Sequence, residues 1–348
     1  MAGKGEAMIQ YYGTLYGTYL GATIASLFPD RVALMALDSF VDAEDWSNGR
    51  NVGAFDDLDG TIDVIWDYCF SIKEECPLYQ ETDRSGLDIK SRVLELMKDL
   101  QASPVGVGIR DSINLLTPTL INNYLLPTSY FVPEREWILN VTLSGLSYVL
   151  AGDYGAWFYP PGEEELPEPG CEDGVIPQTP SSPEDSFHVV RCIDSYDLDG
   201  SRERNASWAE DIVDAFVRQS PASGGYVAAS WPLRCYGLPV EFSPSLVFQG
   251  PFGAPAPDTT SNSTTVAPVL FVNNRLDPVA PLSAAYRLSR FFKGSSVVVQ
   301  EAAGHVTNRL PNECLTRIFQ AYFNDGHMPE NGTVCRPDVV GLPALPIA

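Results

Sequence analysis

The sequence predicts an α/β protein in which a partial parallel sheet, divided between the two ends of the chain, is interrupted by a long helical insertion. Three observations predict it. The first forty residues read strand, tight turn, helix, strand; the same alternation returns only near residue 269; and the stretch between carries helical instead of β periodicity.

Met8 to Tyr12 is an apolar and aromatic run, followed by glycines at 13, 17 and 21 and by Leu20, Ile24, Leu27 and Phe28 at helical spacing. Pro29 and Asp30 stop that helix, and Val32 to Leu37 forms a second apolar run ending at Asp38, which completes one β-α-β unit. Such a unit implies a parallel sheet covered by helices. From about Asp45 to Pro160 the segments lengthen and turn helical, as in Ile89 to Leu100 with Val93, Leu94, Leu96 and Met97. Residues 159–185 are rich in Pro, Gly, Glu and Asp and lack the apolar content of a packed core, so they read as a solvated loop or a partly disordered one, and Gly250 to Ala267 is a second soft stretch. The alternation resumes with a strand at Val269 to Val272, a helix bearing Ala284, Leu288, Phe291 and Phe292, a strand at Val297 to Val299, and a last amphipathic helix with Leu315, Ile318, Phe319, Tyr322 and Phe323. The expected division is a core at 1–45, a mainly helical cap at 46–240 and a C-terminal core at 241–348, with about four parallel strands and no internal repeat.

A chain of 348 residues, 45% of them hydrophobic, can bury a substantial core. Its 45 acidic and 22 basic residues give a net charge of −23, which repels phosphate backbones and anionic membrane surfaces, so nucleic acid is not expected as a partner. No run of about 18 apolar residues is present to span a membrane. Nor do residues 1–7 carry the apolar stretch of an export signal. Yet seven cysteines and four Asn-x-Ser/Thr sequons, at Asn140, Asn205, Asn262 and Asn331, point to an oxidising, glycosylating compartment and a secreted ancestry. The three histidines lack ligand spacing and no phosphate loop or dinucleotide fingerprint occurs, so neither a metal nor an organic cofactor is expected.

Gly13-Thr14-Leu15-Tyr16-Gly17, set between strand and helix, has the frame of the G-x-S-x-G nucleophile elbow, with leucine at its centre. A nucleophile needs an oxygen or sulfur that a histidine can deprotonate, and a saturated side chain has neither. Thr14 and Thr18 bear hydroxyls, but in so tight a turn a shift of one residue or more aims the side chain elsewhere. Two further loops complete the pattern in the chain order of the triad, nucleophile then acid then histidine. Asn273 to Pro281 follows one late strand and carries Asp277; Ala303-Gly304-His305-Val306-Thr307 follows the next and carries His305. His188 and His327 fall outside such contexts.

The run Tyr12 to Ala22, with Phe28-Pro29-Asp30-Arg31-Val32 and Leu37-Asp38, closely resembles the α/β-hydrolases of the tripeptidyl-aminopeptidase-like branch of peptidase family S33, whose elbow reads G-x-S-Y-G-T-Y-L-G. The match holds at every position of the elbow except the serine. The resemblance implies an α/β-hydrolase fold, secretion, and hydrolysis of small peptides or esters. Asp277 and His305 would be the acid and the base, Leu15 the substituted nucleophile, and the Tyr16 backbone N–H one oxyanion donor, with Gly13 and Gly17 shaping the elbow. It also implies three disulfides, Cys69 with Cys76, Cys192 with Cys235 and Cys314 with Cys335, leaving Cys171 over. In that family the elbow strand is the fifth of eight and a loop before it gives the second oxyanion donor. A chain whose elbow strand begins at residue 8 is therefore expected to lack that loop, to be cut short as a gene product, and to be inactive as written. The alternative expectation, from another class, is a ligand-binding pseudoenzyme or repurposed non-hydrolytic catalyst that uses the capped pocket and is completed by a partner.

Overall fold

The computed structural model describes residues 8–109, 112–132, 138–158, 183–195, 205–235, 248, 250–253 and 268–338. The chain opens with β1 (Ile9–Thr14), α1 (Tyr16–Leu27) and β2 (Val32–Asp38). A short α2 (Ala43–Ser47) leads into a helical layer of α3 (Leu58–Ile72) and α4 (Gly86–Ala102). A hairpin of β3 (Val105–Ile109) and β4 (Ser112–Leu116) precedes α5 (Pro118–Tyr130), a π-helical turn at Ile138–Leu143, and then α6 (Ser144–Leu150), α7 (Tyr154–Phe158), α8 (Pro183–Asp194), α9 (Ala206–Gln219) and α10 (Gly224–Ser230). The C-terminal part supplies β5 (Leu270–Leu276), α11 (Leu282–Ser289), β6 (Ser296–Ala303), α12 (Glu313–Asp325) and β7 (Thr333–Cys335).

The sheet has five strands in the order β1-β2-β5-β6-β7, all neighbours parallel. This is the α/β-hydrolase arrangement expected of the sequence, extended by one strand: β7 is only three residues long, too short to leave a period in the sequence. The β3–β4 hairpin is a second departure from an insertion expected to be helical. Val105-Gly106-Val107-Gly108-Ile109 alternates at period two, and its glycines lower the apolar content on which a strand would be recognised.

Both faces of the sheet are covered, which is why its inner strands are continuous apolar runs. Alternate residues feed different cores. Met35, Leu37, Phe271 and Val297 pack with Phe292, Leu288 and Trp46 on one face, while Ala36, Leu270, Val272 and Val298 pack with Leu315 and Tyr322 of α12 on the other. The helical layer has its own core, built on Leu58, Ile65, Trp66, Ile89, Val93, Leu125 and Phe216, and it reaches the sheet at Val279 and Ala303, beside the ends of β5 and β6. The two parts of the sheet pair where β2 meets β5, over Ala36↔Leu270, Leu37↔Phe271 and Asp38↔Val272. Tyr322 bridges this seam: its hydroxyl accepts from Met35 N at 2.8 Å and lies 2.8 Å from Pro268 O, to which it donates.

Three disulfides form, Cys69–Cys76 at the end of α3, Cys192–Cys235 from α8, and Cys314–Cys335 between α12 and β7. Cys171 lies outside the described residues, as does most of the 159–185 loop and the soft stretch 254–267. No described helix is long and apolar enough to cross a membrane.

Candidate active site

The elbow follows from local sterics. Leu15, immediately after β1, is held at φ 55° and ψ −127°, a region that a branched side chain occupies only under constraint. A Cβ on Gly13 would lie 2.5 Å from the Tyr11 ring and 2.6 Å from Gly17 O, so the turn is too tight there for any side chain. Tyr11 fastens the other side by donating its hydroxyl to Gly17 O at 2.7 Å. Leu15 is 37% exposed, so the turn presents this side chain outward. No side chain caps α1, and Tyr16, its first residue, directly follows the elbow; its N–H belongs to the first turn, where helices have no internal acceptor. Thr18 is no substitute nucleophile, because it is buried with its hydroxyl donating to Leu15 O at 2.5 Å and accepting from Val41 N at 3.0 Å.

Asp277 follows the end of β5 and is fully buried. Its Oδ1 accepts from Val279 N at 3.1 Å and Ala280 N at 3.0 Å, the turn that leads into α11. Both oxygens face Nδ1 of His305, at 2.9 and 3.0 Å. With Nδ1 donating to the carboxylate, Nε2 is the nitrogen left to accept a proton, the tautomer a triad base requires. His305 stands on a loop after β6 that is clamped on several sides. Gly304, at φ 113°, donates to Leu276 O at 2.9 Å, and Asn274 Nδ2 donates to Gly304 O at 2.8 Å and Val306 O at 3.2 Å. The helical layer covers it from above: Tyr130, the last residue of α5, accepts from His305 N at 3.2 Å, and its ring lies 5.0 Å from the imidazole. Burial pushes the Tyr130 phenol up, so it stays neutral beside the pair.

Elbow, acid and histidine therefore all lie at the carboxyl ends of parallel strands, where open α/β sheets build their sites. One residue links them that the sequence offered only as part of a longer motif. Leu15 N donates to Asp38 O at 3.3 Å, and the Asp38 carboxylate receives Thr307, two residues past His305. Asp57 is another group without a sequence signal. It accepts from Asp277 N at 3.4 Å and Leu282 N at 3.3 Å, bonds too long to offset its desolvation, so its carboxyl is pushed up to about 6.

Beside the elbow stands an aromatic wall of Tyr16, Tyr19 and Trp46, with ring centroids 5.7 to 6.1 Å apart. Asp194 of α8 accepts from Trp46 Nε1 at 3.0 Å. One turn earlier, Arg191 is buried with its guanidinium carbon 5.5 Å from the Trp46 ring and 4.8 Å from the Trp231 ring, and desolvation lowers its pKa. Two cavities lie near these loops without being lined by Leu15, Asp277 or His305. One, about 410 Å³, sits among the helices against Trp66, Met97 and Lys90 and takes in neither Leu15, Asp277 nor His305; another, about 740 Å³, runs behind the histidine loop along Tyr12, Thr307, Phe319 and Phe323. Among the described residues no three His, Cys, Asp or Glu side chains gather to hold a metal ion.

Of the four sequons, Asn205 caps α9 and Asn331 accepts from Val297 N at 2.9 Å, each exposed and bonded through Oδ1. The Asn140 side chain and Asn262 lie outside the described residues.

Residues 223–335, which hold the acid and histidine loops, match the family model described as TAP-like protein. The tripeptidyl aminopeptidases of Streptomyces lividans and of Streptomyces coelicolor (strain ATCC BAA-471 / A3(2) / M145) are each 22% identical over 348 residues, taking in 98% of this chain and 57% of the relative. The chain thus spans 57% of the length of these curated relatives. The sheet has the α/β-hydrolase arrangement, and the part of the chain that carries Asp277 and His305 is similar to the TAP-like family.

Proposed function

We propose that the chain holds the acid and base of a secreted peptide- or ester-hydrolase site of the tripeptidyl aminopeptidase kind, and that it does not carry out acyl transfer because residue 15 is leucine. The observation that carries this reading is the coexistence of a bonded Asp277–His305 pair with an elbow kept in its strained conformation around a side chain that cannot attack. In this reading Asp277 fixes the imidazole, His305 would take the proton of a hydroxyl at position 15, and the N–H of Tyr16 would face the oxyanion. Helices between residues 46 and 240, reaching the histidine through Tyr130, would cap the pocket and select the substrate. The tripeptidyl aminopeptidase relatives support short peptides as that substrate. The three disulfides support an oxidising compartment.

The test is hydrolysis of peptide p-nitroanilides and p-nitrophenyl esters. The native chain should show no turnover that a serine-directed phosphonate abolishes. Leu15→Ser, joined to the N-terminal segment of a tripeptidyl aminopeptidase relative, should hydrolyse the peptide, and adding Asp277→Asn should lower kcat by about 10⁴-fold, as for a misdirected tautomer. Phosphonate-sensitive turnover by the native chain, or indifference of the joined Leu15→Ser protein to Asp277→Asn, would overturn the reading.

A further inference from the structure

We propose that Asp38 is a positioning residue for His305, a second buried carboxylate that grips the main chain beyond the histidine while Asp277 grips its ring. The proposal rests on the Asp277–His305 pairing read above.

Asp38 ends β2 and is fully buried. Its Oδ2 accepts from Thr307 Oγ1 at 2.8 Å and from Tyr12 OH at 2.7 Å; its Oδ1 accepts from Thr307 N at 3.2 Å and, more weakly, from Ser39 Oγ at 3.4 Å. Ser39 in turn accepts from Val306 N at 2.9 Å, and the same N–H lies 3.4 Å from Asp277 Oδ2. The two carboxylates are therefore joined through the amide that follows His305. Neither Asp38 oxygen meets a cation among the described residues, so four neutral donors alone satisfy this buried carboxyl group.

Backbone strain explains why such a grip is needed. Val306, a β-branched residue, sits at φ 73°, and Ser39 opposite it at φ 57°. Conformations of this kind are costly and persist only where neighbouring bonds over-determine them. Relaxation of Val306 would rotate the peptide that carries His305 and draw Nδ1 away from Asp277. The bonds that oppose it come from Asn274 on one side and from Ser39 and Asp38 on the other. Asp38 touches no reacting atom; it acts through Thr307 and Ser39.

The Nδ1–H of a histidine bonded to a carboxylate gives a far-downfield proton NMR resonance, which reads the pair without any turnover. In the native chain it should be present, and Asp277→Asn should abolish it. Thr307→Val and Ser39→Ala each remove one strand of the grip without touching His305 or Asp277. In both, exchange of this proton with solvent should be about tenfold faster, as expected when a bond to a buried charged network is lost. Asp38→Asn, which turns an amide toward donors, should broaden the resonance beyond detection, and Thr307→Ser, which keeps the hydroxyl, should restore native exchange. If Thr307→Val and Ser39→Ala lower thermal stability while leaving the position and exchange of the resonance native, Asp38 is a structural residue and the proposal fails, with the pairing intact. A native resonance that is absent, or insensitive to Asp277→Asn, overturns the pairing itself and the positioning role with it.

Discussion

At the elbow, the leucine that in the proposed reading takes the place of a nucleophile also bears backbone strain. A non-glycine residue at φ 55° and ψ −127° holds about 1–3 kcal/mol of backbone strain, and glycine relieves it at an entropic cost of about 0.5–1 kcal/mol. Leu15→Gly should therefore raise stability to urea by roughly 1 kcal/mol, the excess of relief over entropy. A loss instead would mean that the exposed leucine packs on something that matters more than its backbone. Asp57 stores a different cost. Its pKa of about 6 in the fold exceeds the unfolded value of 3.8, so the folded state binds the proton more tightly, and ionisation penalises the fold as pH rises from 4 through 6. Asp57→Asn removes that titration. Its stability relative to the native chain should grow by about 2–3 kcal/mol between pH 4 and pH 7, measured as the difference in unfolding free energy. A difference that stays flat over this range would place the titration elsewhere.

Among the elements, the helix carrying Tyr322 does more than cover one face of the sheet. Its hydroxyl serves Met35 N on β2 and Pro268 O just before β5, so one side chain joins strands from opposite ends of the chain. Tyr322→Phe would leave both backbone groups buried without that partner and should cost about 1–3 kcal/mol, read by urea unfolding, with faster hydrogen exchange at Met35 as the local sign. The elements also mark how far the sequence could be read. The β-α-β unit and the turns that carry Leu15, Asp277 and His305 were legible because each follows a continuous apolar run that folds as a strand. β7 was not, having only three residues, and β3 was hidden by glycines in its alternate positions. Asp38 lay in plain view in Leu37-Asp38, but its importance comes from Thr307 closing on it, a relation that spans most of the chain and has no local signature. Asp57 was silent for the same reason, since its partner amides belong to residues 277 and 282.

Across the whole molecule the sheet is assembled from two segments that meet along three residue pairs between β2 and β5. Ala36 pairs with Leu270, and Leu270 with Ser296, so the seam closes a chain segment about nine times longer than the β5–β6 crossover does. Loop entropy grows with the logarithm of that ratio, which makes closing the seam about 2 kcal/mol more costly than forming β5–β6. Pulsed hydrogen exchange during refolding should accordingly protect β5 and β6 before β2, and simultaneous protection of all three would contradict this order.

That order has a consequence for the protein in a crowded tube. Until β2 arrives, the run Leu270 to Val272 is an apolar strand with one side open, a template on which another chain can add a strand of its own. What keeps two such intermediates apart is the net charge of −23 that each carries. Salt weakens that repulsion, as the screening length falls from about 10 Å at 0.1 M to about 3 Å at 1 M. Refolding yield at fixed protein concentration should therefore decline as sodium chloride rises, while the stability of protein already folded changes far less.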